Sequence, residues 1–221
     1  MKLTLIVLCH NAPLFVARLL DSIETLQGID FETVVVDNGS DRQNQITSFI
    51  TSLNAGHTET YIRSRTNLFF PAGINLGAKL ASPDCTHLMY LNSDTEFKDP
   101  EALKKMAAMH RPGITGLGVV KSNSVPERPD GFCFLIDRAV HVRFGGLDEQ
   151  YKWWWSITKL ESQVLQAGLS VQAVRHYENL LVHFGGKSGD AWKAVNLPEP
   201  PTESALWFNT GARITVIDRI P

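Results

Sequence analysis

Residues 33–40 read Thr33-Val-Val-Val-Asp-Asn-Gly-Ser40, three valines behind a threonine and then, without transition, four turn formers. β-Branched side chains pack well on a pleated surface. A continuous apolar run, rather than an alternating one, belongs to a strand covered on both faces, as parallel strands are. The polar tetrapeptide at its carboxyl end stands where ligands of open α/β sheets bind. Working outward, Leu3-Thr-Leu-Ile-Val-Leu8 is a run of the same kind, closed by His10-Asn11. Between the two, Val16, Leu19, Leu20, Ile23 and Leu26 recur at helical spacing and predict a buried stripe. Ile46, Phe49, Ile50 and Leu53 mark a second amphipathic helix, and Thr58–Ile62 a weaker strand. Asn67-Leu-Phe-Phe-Pro-Ala-Gly-Ile-Asn-Leu-Gly77 is a loop running into a helix through Leu80. His87-Leu-Met-Tyr-Leu91 is a strand with another polar end, Asn92-Ser-Asp-Thr95. Asp99-Pro100 opens the next helix as N-cap and first-turn proline. Strands alternating with helices predict an α/β fold with a parallel sheet.

The second half is more mixed. Gly131–Ile136 reads as a strand, and Arg138–Phe144 as a short helix stopped by Gly145-Gly146. A helix from about Thr158 to Ala167 ends at Gly168, a good C-cap residue. Ser170–Val174 and Leu180–His183 are short strands. After Gly185 the chain is rich in Pro, Gly and polar residues, and Pro198, Pro200 and Pro201 argue against helix. One domain over residues 1–188 is expected, with 189–221 an irregular segment packed on it.

Composition narrows the classes. With 43% hydrophobic and 20% charged residues among 221, the chain is globular rather than disordered. A net charge of −2 gives no sign of nucleic-acid binding. The run Leu3–Leu8 is too short for a membrane span and lacks the flanks of a signal peptide. The three cysteines, Cys9, Cys85 and Cys133, have no metal-type spacing. Reduced thiols fit a cytoplasmic setting, with peripheral attachment to a membrane also open; the oligomeric state is not legible.

The candidate chemistry lies in the polar strand ends. Asp37 accepts hydrogen bonds from a ligand or merely caps a turn, since Asp, Asn and Gly dominate turns. Asp94 is a metal ligand or closes an Asx turn, and His183 is a ligand or a structural histidine. No single motif decides between these. Taken in order, however, the residues resemble the family 2 glycosyltransferases, especially the bacterial rhamnosyltransferase-like branch. Leu3–Asn11 looks like that family's first strand, and Val34-Val-Val-Asp-Asn-Gly-Ser40 like its nucleotide-binding strand end. Asn67–Gly77 is similar to its Asn-Gly-rich loop, with Phe69 where a glycine is usual. Leu91-Asn-Ser-Asp-Thr95 resembles its variant of the Asp-x-Asp motif. Gly145-Gly-Leu-Asp-Glu149 and Val182-His-Phe-Gly-Gly-Lys-Ser188 match its later steps.

The resemblance implies a GT-A fold, a Rossmann-like mixed and mostly parallel sheet flanked by helices. It implies a UDP- or dTDP-sugar donor, a glycan or lipid-linked saccharide acceptor, and Mn²⁺ or Mg²⁺. By carry-over, Asn11, Asp37, Asn67, Gly73, Asn75, Asn92 and Asp94 bind the nucleotide sugar, and Asp94 with His183 holds the metal. The family's Glu-Asp pair, whose Asp takes the acceptor's proton, falls on Ser156-Ile157, and isoleucine accepts no proton. Glu161 lies one helical turn beyond Ile157 and is a substitute, or else forms a capping box with Thr158. Asp148 and Glu149 could reach in from the preceding loop. Trp153-Trp-Trp155 offers one ring as a wall of the acceptor cleft, with core packing the fate of the others. Two functions follow: an inverting, metal-assisted glycosyltransferase, or a sugar-nucleotide or glycan-binding module that has lost its base. A nucleotidyltransferase lacks its basic Gly-rich loop here, and a dinucleotide oxidoreductase its Gly-x-Gly-x-x-Gly.

Overall fold

The computed structural model describes residues 1–122, 125–153, 155–185, 201–209, 211 and 213–220. The first half follows the expected alternation: β1 (Lys2–Cys9), α1 (Pro13–Ile23), β2 (Asp30–Asp37), α2 (Arg42–Asn54), β3 (Thr58–Arg63), α3 (Phe69–Lys79) and β4 (His87–Asn92). Then come β5 (Thr95–Phe97), α4 (Ala102–Met109), β6 (Gly113–Leu117), and the strands β7 (Val119–Ser122) and β8 (Val125–Pro129). They are followed by β9 (Cys133–Asp137), α5 (Arg138–Arg143), α6 (Trp155–Gln166), β10 (Ser170–His176), β11 (Leu181–His183), α7 (Ser204–Trp207) and β12 (Thr215–Arg219). Eight strands form one sheet in the order β12-β10-β6-β9-β4-β1-β2-β3. Every neighbouring pair is parallel except those made by β9, which runs antiparallel between β4 and β6.

β1 shows why the sheet sits in the middle. Leu3, Leu5, Val7 and Cys9 face one core with Val16, Leu19, Leu103 and Met106 of α1 and α4. Ile6 faces the other, with Ile74 and Ala78 of α3 and Leu160 and Val164 of α6. Two helical layers thus cover both faces of the sheet, which is why its strands read as continuous apolar runs. On α3, a Cβ on Gly77 would stand 2.4 Å from Cγ2 of Ile6, so the bare glycine lets helix and strand meet closely.

Three departures from the sequence reading have physical causes. First, α2 forms where expected but turns its apolar stripe outward. Ile46, Ile50 and Leu53 are exposed, and Ser48 and Ser52 are buried. The Ser52 hydroxyl donates to the Ser48 carbonyl at 2.8 Å, so this buried hydroxyl is satisfied within the helix. Second, β6 went unread because Gly113-Ile-Thr-Gly-Leu117 has two glycines; the close approach explains them, since a Cβ on Gly116 would lie 2.5 Å from Pro129. Third, the C-terminal stretch carries more than irregular chain: β12 pairs with β10 at the sheet edge, and α7 makes a single helical turn. Residues 189–200 lie outside the described residues.

The outward stripe of α2 makes a direct prediction. Ile50→Ser and Leu53→Ser each change the urea unfolding free energy by no more than about 0.5 kcal/mol, as for surface positions generally. A loss of about 2 kcal/mol or more would mean that this face packs inward.

Candidate active site

Parallel pairing brings the polar strand ends together. Cys9 lies beside Asp37 and Leu8 beside Asn92, so β1, β2 and β4 all stop at one edge of the sheet. Asn11, Asp37, Asn67, Asn92 and Asp94 therefore converge there, as the sequence predicts, but their side chains have different tasks.

Asp37 is fully buried, and each of its oxygens has a donor within the protein. Oδ1 accepts from the Ser40 amide at 2.8 Å, and Oδ2 accepts from the Tyr61 hydroxyl at 2.8 Å. Its carboxylate braces the turn that leads into α2, whose own N-cap is Asp41. Asn11, held at a φ of 52°, ties the loop after β1 to the loop after β2: its amide donates to Ser40 Oγ and its Oδ1 accepts from the Asp41 amide. Asn67 Oδ1 accepts from Asn38 Nδ2 at 3.0 Å and from the Phe69 amide at 2.7 Å. Phe69, where the resemblance would place a glycine, has a φ of 63°; it is held by this bond, by the edge of Trp153 and by Lys152 over its ring.

Gly73 and Asn75 work in the scaffold. A Cβ on Gly73 would stand 2.5 Å from Cδ1 of Leu8, so the glycine seats α3 on β1. Asn75 is buried and spends its carboxamide on the loop that precedes α6. It donates to the Leu147 carbonyl at 2.8 Å and to Glu149 at 3.0 Å, and accepts from the Leu147 amide at 2.9 Å. That clamp explains Gly146, whose φ is 81° and whose Cβ would collide with Asn75.

The Asp94 side is built by a second strand pairing. β11 runs antiparallel to β5 and sets His183 opposite Thr95. His183 Nε2 comes to 3.6 Å from Asp94 Oδ1, and its ring stacks on Phe132 at a centroid distance of 4.1 Å. The Phe132 carbonyl accepts from the Asn92 amide at 2.9 Å, which fixes the strand start beside the polar turn. The segment Gly186–Ser188, part of the His-x-Gly-Gly resemblance, lies outside the described residues, as does Trp154. Trp155 is buried against Trp207, and Trp153 meets Phe69 edge-on.

Asp130 is a carboxylate that the sequence reading passed over. It follows β8 directly, is half-buried, and lies within electrostatic reach of His183, Arg128 and Asp94. Burial lifts its carboxyl above the usual range, against the opposing pull of His183 and Arg128. With Arg128, Gly131, Ile157 and Thr158 it lines a cleft of about 200 Å³. In the sequence, Pro129-Asp-Gly131 is simply a turn signal; the pairing of β9 with β4 brings the start of β9 to the polar edge and Asp130 within electrostatic reach of Asp94. Tyr61 and Arg63 were missed for the same reason, since the β2–β3 register alone sets Arg63 beside Asp37.

The acidic residues named as substitutes for the missing pair have other partners. Glu161 is fully buried, with Arg128 Nε 3.8 Å away and neither carboxylate oxygen hydrogen-bonded among the described residues. Burial raises its pKa well above the ordinary value, and it is not among the residues that line the cleft. Arg128 Nε donates instead to Thr158 Oγ1 at 3.1 Å, the residue offered as Glu161's capping partner. Glu149 is exposed but holds Asn75, and Asp148 is paired with Lys159.

Removing the Tyr61 hydroxyl tests the bracing of Asp37. Tyr61→Phe leaves a buried carboxylate oxygen without its donor and lowers stability by about 1.5–3 kcal/mol, read from urea denaturation. A loss below about 0.5 kcal/mol would mean that Asp37 does not depend on this bond.

Comparison with solved structures finds the same architecture. The mannosyltransferase PcManGT from Pyrobaculum calidifontis, solved with GDP-Man and Mn²⁺, aligns with a TM-score of 0.67 at 16% identity, covering 86% of this chain and 59% of that one. S. aureus TarS 1-349 in complex with UDP aligns with a TM-score of 0.56 at 18% identity, covering 76% and 55%. GalNAc-T7 with UDP, GalNAc and Mn²⁺ aligns with a TM-score of 0.62 at 15% identity, covering 77% and 42%. The chain thus spans less than two thirds of the length of each. No curated protein matches it. The large, mostly parallel sheet between helical layers is a GT-A fold. The family model for glycosyl transferase family 2 matches residues 4–127, over half of the 221, and the chain belongs to that family.

Proposed function

We propose that the chain transfers a sugar from a nucleoside diphosphate donor to a hydroxyl of a glycan or lipid-linked saccharide, with inversion at the anomeric carbon. The observation that carries this reading is the approach of His183 to Asp94, 3.6 Å, beyond the end of β4, with Asp130 lining the neighbouring cleft within electrostatic reach of both. Solved relatives of the same fold hold UDP, UDP-GlcNAc or GDP-Man, which supports a nucleotide-sugar donor here. A UDP- or dTDP-deoxysugar, as in the rhamnosyltransferase-like branch, is the donor we favour, and surface polysaccharide the product. No described helix is long and apolar enough to cross a membrane, and the cytoplasm or its membrane face is the setting we infer.

Asp94 and His183 fit a divalent cation. A carboxylate oxygen and an imidazole nitrogen 3.6 Å apart offer mixed hard and borderline donors, which suit Mn²⁺ better than Mg²⁺. Bound there, the ion would offset the charge gathering on the departing diphosphate. His183 is kept in place by the Phe132 ring, and Asp94 by the tight turn between β4 and β5.

Asp130 is the proton acceptor in this reading. The acceptor oxygen attacks the anomeric carbon while the bond to the diphosphate oxygen breaks, and the hydroxyl proton passes to the Asp130 carboxylate. Ile157 occupies the helix position from which the family's carboxylate comes, and its Cδ1 would lie 2.4 Å from a Cβ on Gly131. The proton-accepting group has thus moved to the loop facing that helix, one residue away. A carboxyl lifted by burial has its pKa nearer the working pH, which suits a general base.

The second reading, a binding module without turnover, is favoured by Ser156-Ile157 and by the burial of Glu161. Donor turnover and donor binding separate the two. Asp130→Asn lowers kcat by about 10²–10⁴ with donor Kd held within about twofold, whereas Glu161→Gln leaves kcat intact. The acidic limb of the kcat/KM profile lies above the ordinary aspartate value of about 3.9, because burial raises the Asp130 pKa, and it disappears in Asp130→Asn. Asp94→Ala abolishes Mn²⁺-dependent donor binding. Tight donor binding with no release of nucleoside diphosphate, across a panel of acceptors, would establish the binding module instead.

A further inference from the structure

Far from the cleft, at the opposite end of the sheet, two histidines and an aspartate meet. His87 opens β4, His110 follows α4, and Asp137 closes β9. Asn92 lies five residue steps along β4 from His87, which sets the cluster roughly 17 Å from the polar turn. Asp137 lies between the two rings: His87 Nε2 is 3.3 Å from its Oδ1, and His110 Nε2 is 3.2 Å from its Oδ2. All three ligand atoms fall within 4.8 Å of one another, the only such grouping of three among the described residues.

The hydrogen bonds behind the rings decide what faces inward. His87 Nδ1 lies 2.8 Å from Thr86 Oγ1, and that hydroxyl already donates its proton to the Lys2 carbonyl. His110 Nδ1 lies 2.9 Å from Thr115 Oγ1, whose proton goes to Gln172. Each threonine is left only as an acceptor, so each imidazole carries its proton on Nδ1 and donates it outward. Both Nε2 lone pairs then point at a carboxylate. Two lone pairs against an anion repel unless a positive charge stands between them.

We propose that His87, His110 and Asp137 form a second metal site, for Zn²⁺ or an ion of similar size and softness. Around a tetrahedral Zn²⁺ with bonds of about 2.0–2.1 Å, ligand atoms stand about 3.3 Å apart; His87 Nε2 has this spacing to Asp137 Oδ1 and His110 Nε2 nearly so to Oδ2, as for a carboxylate offering one oxygen to each side of the ion. Outward donation from the far ring nitrogen is the arrangement that orients metal-bound histidine. Asp137 Oδ2 also accepts from the Gly113 amide at 2.7 Å, which holds the carboxylate in place. His110 is almost wholly covered, while His87 and Asp137 reach the surface and leave room for a water as fourth ligand. The ion clips the ends of three neighbouring strands, β6, β9 and β4, and so acts on stability rather than on transfer.

The test uses Zn²⁺ alone with the full chain carrying Asp94→Ala, which removes the cleft as a competing site. One Zn²⁺ per chain is expected by equilibrium dialysis. The Nε2 resonances of two histidines should shift on addition, and their Nδ1 protons persist. Adding His87→Gln, at the partly exposed rim, removes the bound ion. Adding Thr86→Val, which spares all three ligands, weakens affinity by about 10–100-fold. Equal stoichiometry with and without His87→Gln overturns the site. So does the absence of Zn²⁺ binding with imidazolium signals for both rings, which would make the cluster a pair of protonated histidines on one aspartate.

Discussion

Parallel pairing of β1 with both β2 and β4 is the constraint on which the molecule depends. Parallel neighbours need crossover helices, and those helices close both faces of the sheet. The middles of these strands are then largely apolar, and buried polar groups must find partners. Asp37, Asn92 and Asp94 are clustered because β1, β2 and β4 stop at one edge of the sheet. The antiparallel strand β9 adds one asymmetry. Because it runs back between β4 and β6, its start, rather than its end, lies at the polar edge, which sets Phe132 against Asn92 and His183 and brings Asp130 within electrostatic reach of Asp94.

Much of the polar edge is committed to holding itself together. Asp37 braces its own turn and accepts from Tyr61 of β3, while Asn38, Asn67 and Asn75 bond to backbone or side chains of another loop. Buried polar groups must be paired, and pairing them across loops gives each loop one geometry. The proposed site is smaller than the motif inventory suggests: the Asp94–His183 pair, and the cleft beside Asp130 and Ile157. A preorganised frame of this kind lets a few groups act without rearrangement.

The elements legible in the sequence are those whose pattern reports burial on two faces. β1, β2 and β4 are continuous apolar runs with polar ends, and α1 shows its stripe where it packs. The orientation of α2 was not legible, because the pattern locates an apolar face without saying what it meets. β6 was hidden by glycines whose purpose, room for Pro129 and for a neighbouring backbone, exists only in three dimensions. The site divides in the same way. Asp94 and His183 are recognisable from their order along the chain, whereas Asp130 looks like an ordinary turn residue. The bond budgets of Asp37 and Asn75 depend on partners 24 and 72 residues away.

Phe69 has a further consequence. A bulky side chain at a positive φ costs of order 1–3 kcal/mol and persists only where its surroundings enforce it. Here the surroundings are Asn67 on one side and Lys152 and Trp153 on the other, and the Phe70 amide is bonded to the Lys152 carbonyl at 3.1 Å. The turn leading into α3 and the chain entering α6 are therefore a loaded latch. Loosening residues 152–153 would let the Phe69 backbone relax, and relaxing Phe69 would free the start of α6.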